Sequence, residues 1–447
     1  MIIFRKGYRY ILCSAKNGRC PYFGFLFIIL SWLLLPDSIV MADQLFDIKA
    51  ATYISQEKVS YLEGQSGLRL TEGANLFLFE TGRISLGEKA FLGLQLKQSF
   101  NDDAAINELY RGYFKIYFSK FSFEIGKDNI NIGPGEYGLL VSNNTEPYPL
   151  IMFQTEEPLI FLGDWNFLLL KGWLLEDRDD VDDPEILALR LLWKPVSFFE
   201  VGATRSELYG GEGRPGYKLT EYPTLILGSK DNVPGKFDND GYGGYDFTAY
   251  LPLEKLVPSV KEVKLYFENT GTDIKAFWQE EDKDKVSFPF FALTKHGLKY
   301  GLCISTNRDI IGIEHVITSE DTYRHHKYPV EGYTYQGLSL GYPYGNNVKS
   351  LFFKHKHNFT DSVYLEYKVG AYEQPVFINT GDRMRRYYAS ILGGWKIKDY
   401  DLEGFLRLDK TENYNSHAVP LPSQTGDIED ADKTFYILGV SIRYCFQ

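Results

Sequence analysis

The run YILGVSIRYCF, residues 436–446, decides the fold. Tyr436, Leu438, Val440, Ile442, Tyr444 and Phe446 fall on one face of an extended strand, and Gly439, Ser441 and Arg443 fall on the other. Successive side chains of a strand point to opposite sides, so this spacing predicts one apolar and one polar face. The pattern recurs upstream. In residues 109–118 it sets Tyr110, Phe114, Ile116 and Phe118 against Arg111, Tyr113 and Lys115. Val263, Leu265 and Phe267 alternate with Lys264, Tyr266 and Glu268. Val363, Leu365 and Val369 oppose Glu366 and Lys368, and Leu402, Leu406 and Leu408 oppose Glu403 and Arg407. The leucine-rich run 186–193 sits between Pro184 and Pro195, too short for a helix. As a strand it turns Leu187, Leu189, Leu191 and Trp193 one way and Arg190 the other.

A soluble sandwich also alternates, and three details favour a barrel in lipid instead. The strands run about ten residues, the span of a tilted transmembrane strand. Tyr, Trp and Phe gather near strand ends, where they suit a membrane interface. The chain finishes on its last strand, with Phe446 next to the terminal Gln447, close to the C-terminal Phe of bacterial outer-membrane barrels. Aromatics make up 16% of the 447 residues, including 33 Tyr and 32 Phe, a strand-favouring composition. The expected fold is all-β, a transmembrane antiparallel barrel of about 18 strands (range 16–18) with its lumen plugged by loops, at about 22 residues per strand and connection. Short runs such as Pro343-Tyr344-Gly345-Asn346-Asn347 would turn the chain at the periplasmic side. Long polar segments such as 205–244 and 411–433 would form outer loops or a plug.

The first 42 residues read as a secretory signal, with Arg5, Lys6, Arg9, Lys16 and Arg19 before the apolar run 22–35 and the small-residue pattern Val40-Met41-Ala42. A retained anchor is the rival reading, but the apolar run is shorter than the ~20 residues of a spanning helix. The barrel would be one domain, residues 43–447. The signal carries five basic residues and Asp37, so its loss takes the net charge from −11 to −15. So acidic a chain, with no basic stripe, excludes a nucleic-acid partner. Cys13 and Cys20 would leave with the signal, and Cys303 and Cys445 could pair but make no disulfide framework or zinc site.

One segment breaks the strand pattern: residues 126–149, GKDNINIGPGEYGLLVSNNTEPYP. Gly133-Pro134-Gly135, Gly138 and Ser142-Asn143-Asn144 cannot continue a ladder. With no nucleophile, no basic residue beyond Lys127 and no helix behind it, the segment reads as a path through the lumen. Residues Gly126, Gly133, Pro134, Gly135, Ser142, Asn143, Asn144 and Pro149 resemble the central motif of the capsule assembly protein Wzi family. The run 240–246, DGYGGYD, is similar to a second block of that family, and 323–337, YRHHKYPVEGYTYQG, to a third. The resemblance implies a plugged barrel in the outer membrane of a Gram-negative bacterium, holding capsular or surface polysaccharide without enzymatic activity. Its other partners would be outer-membrane lipid and, through the C-terminal strand, the barrel-assembly machinery. The alternative is a porin-type channel for small solutes, in which the mixed lumen charges would set ion selectivity. One departure is visible: the family's best-known members carry periplasmic helices early in the mature chain, whereas residues 45–55 here already read as a strand.

Candidate chemistry is sparse. No nucleophile elbow, phosphate-cradling glycine loop or zinc helix occurs, so no catalytic residue, cofactor or metal is expected. His325 and His326 are neighbours and would point apart on a strand, whereas His355 and His357 share a face and read as wall positions. Asp238-Asn239-Asp240-Gly241 lacks EF-hand spacing and reads as a turn, and DRDDVDD (177–183) as a solvated loop. Sugar rings stack on aromatics and need donors and acceptors around them. Tyr217, Tyr222, Tyr242, Tyr245 and Asp246 supply that chemistry, and serve equally well as packing inside a plug.

Overall fold

Eighteen antiparallel strands close on themselves in this computed structural model. It describes residues 44–59, 66–101, 104–227, 235–237, 239–253, 257–272, 274–276, 286–287, 291–293, 296–375, 383–412 and 432–446. The signal-like segment, Asp238 and most of 411–433 lie outside them. The barrel strands are β1 (Gln44–Ser55), β2 (Gly73–Ser85), β3 (Ala90–Phe100), β4 (Ala105–Phe118), β5 (Phe121–Asp128), β6 (Tyr148–Thr155), β7 (Asp164–Trp173), β8 (Glu185–Val196) and β9 (Phe199–Tyr209). They continue as β10 (Asp240–Leu251), β11 (Val260–Gly271), β12 (Gly297–Thr306), β13 (Asp309–Thr318), β14 (Lys349–Asn358), β15 (Val363–Pro375), β16 (Arg383–Ile397), β17 (Tyr400–Glu412) and β18 (Lys433–Phe446). Each pairs with the next, and β1 closes on β18 with Phe46 opposite Phe446 and Ser55 opposite Ile437. Closure removes every strand edge, which a sheet in lipid requires.

The alternation read from the sequence becomes two faces. Leu438, Val440 and Ile442 point outward and are 44%, 68% and 42% exposed, while Ser441 and Ile437 are buried in the lumen. Aromatic rings collect at one end of the wall. Trp165 stacks on Trp193 with centroids 5.4 Å apart, Phe118, Phe121 and Phe153 stack together, and Tyr444 lies between Tyr400 and Phe446. At that end the connections are brief, such as 119–120, 197–198, 307–308 and 398–399. At the other end they are long: 56–72, 129–147, 174–184, 210–239 and 319–348. Short turns face the periplasm in such barrels, so the long connections are extracellular.

Glycine has a packing role on the inner face. Gly93, Gly301, Gly370, Gly394 and Gly439 each pair across strands with a tyrosine, Tyr113, Tyr266, Tyr388, Tyr364 and Tyr53. The ring lies where a glycine Cβ would be: one built at Gly301 would stand 2.0 Å from Tyr266 Cζ.

Three expectations need correction. A bulge between β3 and β4 pairs Gln95 with Arg111 but Leu96 with Leu109, leaving Tyr110 as the extra residue. It therefore turns into the lumen beside Arg111, buried, with its hydroxyl donating to the Ser66 carbonyl. Residues 343–347 do not turn the chain at the periplasm. They belong to the extracellular connection 319–348, with Tyr344 buried and stacked on Tyr372 at 4.1 Å. Cys303 and Cys445 stand on β12 and β18 and are free. Residues 186–193 are strand, as expected, and among the described residues the helical turns are Leu219–Glu221 and Tyr222–Leu227. No described helix is long and apolar enough to cross a membrane, which says nothing of the strands.

Candidate functional site: a two-loop plug in the lumen

Two extracellular connections fold back into the barrel and bind each other. The first, 129–147, is the interrupted segment of the sequence. The second, 319–348, contains the YRHHKYPVEGYTYQG block. Ser142 N–H donates to the Leu340 carbonyl at 2.7 Å, its hydroxyl to the Gly341 carbonyl at 2.5 Å, and the Asn144 amide to the Ser339 carbonyl at 3.3 Å. Tyr323 hydroxyl donates to the Leu139 carbonyl and accepts from Tyr342 N–H at 3.0 Å. Leu139, Leu140 and Val141 meet Leu338, Leu340 and Tyr342 in the largest apolar cluster among the described residues, which lies inside the barrel rather than between layers.

The glycines of the first loop set its path along the wall. Gly135 has φ +86°, in the region that favours glycine, and a Cβ there would sit 2.1 Å from Glu314 Oε2. That carboxylate accepts from Glu136 N–H at 3.1 Å and Tyr266 hydroxyl at 2.7 Å. Gly133 passes the Glu268 carboxylate, which a Cβ would approach to 3.0 Å. Between them Pro134 presents its carbonyl to Lys299 Nζ at 2.9 Å. The same ammonium, fully buried, donates to the Tyr137 carbonyl and to Glu268 Oε2 at 2.7 Å. Gly126 lies within β5, opposite Tyr113, with φ +152°, its Cα so close to β4 that a Cβ would be 2.2 Å from the Gly112 carbonyl. Asn143 is half-buried within the loop, and Pro149 enters β6 opposite Lys127.

The Glu136 carboxylate reaches the next two strands, 2.9 Å from Lys368 on β15 and 3.5 Å from Lys354 on β14. Burial pushes its carboxyl up, but those two ammonium groups and its hydrogen bonds outweigh burial and hold it below the ordinary value. Elsewhere the lumen charges pair along the wall: Arg190 with Asp246 at 2.7 Å, Lys49 with Glu403 at 3.0 Å, and Lys115 with Glu156 at 2.8 Å.

A third connection, 174–184, clamps the second loop. Arg178 is fully buried at its side chain and donates to the Gly332 carbonyl at 2.8 Å and the Thr334 carbonyl at 3.1 Å. It also pairs with Asp180 at 2.9 Å and Glu176 at 3.1 Å. Asp180 accepts the N–H groups of Val330 and Glu331, and Glu176 that of Gln336. Burial raises the Glu176 carboxyl to about 7, against the pull of Arg178 and the Gln336 N–H. The DRDDVDD run is thus a clamp rather than a solvated loop. Its partners lie some 150 residues away in sequence, where no local reading finds them.

The structure separates the five candidate sugar contacts. Tyr242 is fully buried between Tyr333 and Tyr323, with ring centroids at 5.1 and 6.0 Å. Asp246 is buried in its ion pair with Arg190. Tyr245, one residue before it, points outward to Phe247 and Phe267. Tyr217 and Tyr222 lie in connection 210–239, which packs on the outside of the wall against Leu187 and Tyr209. Their hydroxyls meet Asn239 at 2.8 Å and Lys171 at 2.7 Å, and both rings stay half-buried at the extracellular end. Sequence reasoning missed Lys299, Arg178 and the tyrosines of the second loop. The density of tyrosine in a glycine-containing stretch, with Tyr328, Tyr333, Tyr335, Tyr342 and Tyr344 close together, was the available signal.

An 18-strand barrel with an apolar outer belt and a lumen closed by extracellular loops defines an outer-membrane barrel of the plugged class. The profile of the family described as capsule assembly protein Wzi matches residues 55–376, and the chain belongs to that family. Among solved structures it is similar to Wzi of Escherichia coli, an outer-membrane protein involved in group 1 capsule assembly and described as a carbohydrate-binding β-barrel. That match has 17% identity and TM-score 0.62, covering 93% of this chain and 87% of that one. Pseudomonas aeruginosa OpdQ (10% identity, TM-score 0.52, 92% of this chain and 99% of that one) and OprD (8%, 0.51, 92% and 98%) share the barrel more distantly. No curated protein sequence matches.

Proposed function

We propose that this protein is a non-enzymatic outer-membrane barrel that binds and organises capsular or surface polysaccharide at the cell surface. The observation that carries the reading is the plug. Two loops joined to each other and anchored to the inner face of β12 to β15 stand in the lumen where a porin keeps a channel, and they do so in a member of the Wzi family. The extracellular end is then a broad platform of long connections rather than a pore mouth. Tyr217 and Tyr222 stand where a glycan chain reaches them. Tyr242 packs on the plug tyrosines Tyr323 and Tyr333 beneath, and Asp246 braces the wall through Arg190.

Residues 1–42 are removed as a signal, the outward belt meets outer-membrane lipid, and β18 with Phe446 addresses the barrel-assembly machinery. Titration calorimetry of the folded protein with polysaccharide isolated from its own cells tests the binding reading. Saturable heat that falls about tenfold in affinity in Tyr217→Ala/Tyr222→Ala supports it. Absence of heat with the native polysaccharide overturns it.

A further inference from the structure

Asp309, His355 and His357 bring three ligand atoms within 4.8 Å of one another at the short-turn end of the wall. The register explains the meeting. Asp309 opens β13 opposite His357, and His355 lies two residues back on the same face of β14. That face is the outer one, shared with Leu351, Leu365 and Tyr367, which are 49%, 37% and 37% exposed. Neighbouring Lys354 and Lys356 alternate to the lumen side and leave the cluster without a competing cation from this strand.

The cluster is built like a coordination shell. Asp309 Oδ1 lies 2.9 Å from His355 Nε2 and 2.7 Å from His357 Nδ1. The far atoms are held as well: Thr306 hydroxyl donates to Asp309 Oδ2 at 3.0 Å, and His355 Nδ1 meets Tyr367 hydroxyl at 2.8 Å. Metal-binding imidazoles characteristically have their second nitrogen fixed in this way. We propose that Asp309, His355 and His357 form a divalent transition-metal site, of the zinc class, on the outer periplasmic rim of the barrel. Two imidazoles and one carboxylate suit such an ion. Ligand atoms about 3.3 Å apart surround a tetrahedral zinc with bonds of roughly 2.0–2.1 Å, so the present contacts need to open by about half an ångström. An imidazole that takes the metal through one nitrogen carries its proton on the other, so His355 bound through Nε2 donates Nδ1–H to the Tyr367 oxygen. The remaining position opens to water beside Phe359, whose ring is 4.6 Å from that of His357. The bound ion would staple β13 to β14 at their short turn.

The test uses the full chain folded in detergent micelles, with Co²⁺ as a spectroscopic probe and Zn²⁺ as competitor. One Co²⁺ per chain with the intense visible bands of a low-symmetry site, displaced by Zn²⁺, is expected. Asp309→Asn and His355→Ala/His357→Ala should abolish it, and Tyr367→Phe should weaken it about tenfold. Binding equal in wild type and His355→Ala/His357→Ala, or no binding, overturns the site. Tyr367→Phe removes only a hydroxyl and keeps the test valid if the histidine variants misfold. An unchanged affinity there also counts against the proposal.

Discussion

Replacing Lys299 with Met tests how the plug is held. The Lys299 ammonium is fully buried and joins Glu268 to the Pro134 and Tyr137 carbonyls of the first plug loop. Lys299→Met keeps the side chain's length and apolar stem but leaves Glu268, itself buried, without its cation. Removing one partner of a buried ion pair costs about 3–5 kcal/mol. Each orphaned carbonyl adds roughly 1–3 kcal/mol unless water reaches it. The loop retains its anchors at Glu136 and Glu314, so the barrel stays closed as a sheet while the plug opens more often. At 1.4 kcal/mol per tenfold, about 4 kcal/mol raises the opened population roughly a thousandfold. Hydrogen exchange by mass spectrometry should show this as faster exchange confined to 129–147 and 319–348. Lys299→Met/Glu268→Leu removes both charges and should recover most of the protection, since an apolar replacement of a buried pair is often neutral. Unchanged exchange in Lys299→Met, or a double variant as exposed as the single one, would refute the reasoning.

Other consequences are equally open to measurement. The Glu136 carboxyl titrates lower in the folded protein than its ordinary value of 4.5, so its anchoring is present above that value and fades as pH falls through the depressed one. The Glu136 contribution to protection of 129–147, taken relative to the intrinsic exchange rate at each pH, should therefore be constant from pH 7.5 to 5 and fade below about pH 4, and Glu136→Gln should remove that acid step. Arg178→Met should cost about 3–5 kcal/mol at the clamp and expose 319–348 to limited proteolysis while leaving 129–147 less affected. Gly301→Ala would place a Cβ on the Tyr266 ring and displace the hydroxyl that donates to Glu314, an overpacking cost of about 1–3 kcal/mol readable as a lower unfolding temperature.

Much of this architecture was legible because strand parity is a short-range property. Residues 436–446 carry their two faces in their own spacing, and 126–149 shows by its glycines and prolines that it leaves the sheet. Parity also fails locally. The single extra residue at Tyr110 reverses the inward and outward sets, and nothing in the run 109–118 marks the bulge. Turn chemistry says that residues 343–347 bend but not at which end of the barrel, since the same glycine and asparagines suit a buried turn. Arg178 and Asp180 look like a solvated charge run because the backbone groups they hold belong to a loop far along the chain. Within 240–246 the alternation does separate Tyr242 and Asp246 from Tyr245, so reading those residues as one sugar-binding set ignored the face each must take. Nothing local marks Lys299, because the carbonyls it binds, Pro134 and Tyr137, lie 165 and 162 residues away in the chain.

Cell-associated and released polysaccharide, quantified in cells lacking this protein and in the same cells complemented with it, test polysaccharide retention most directly. Loss of the protein should shift polysaccharide from the cell surface to the medium without changing the total, and complementation should restore it. Equal retention in both strains would contradict a role in holding polysaccharide at the surface.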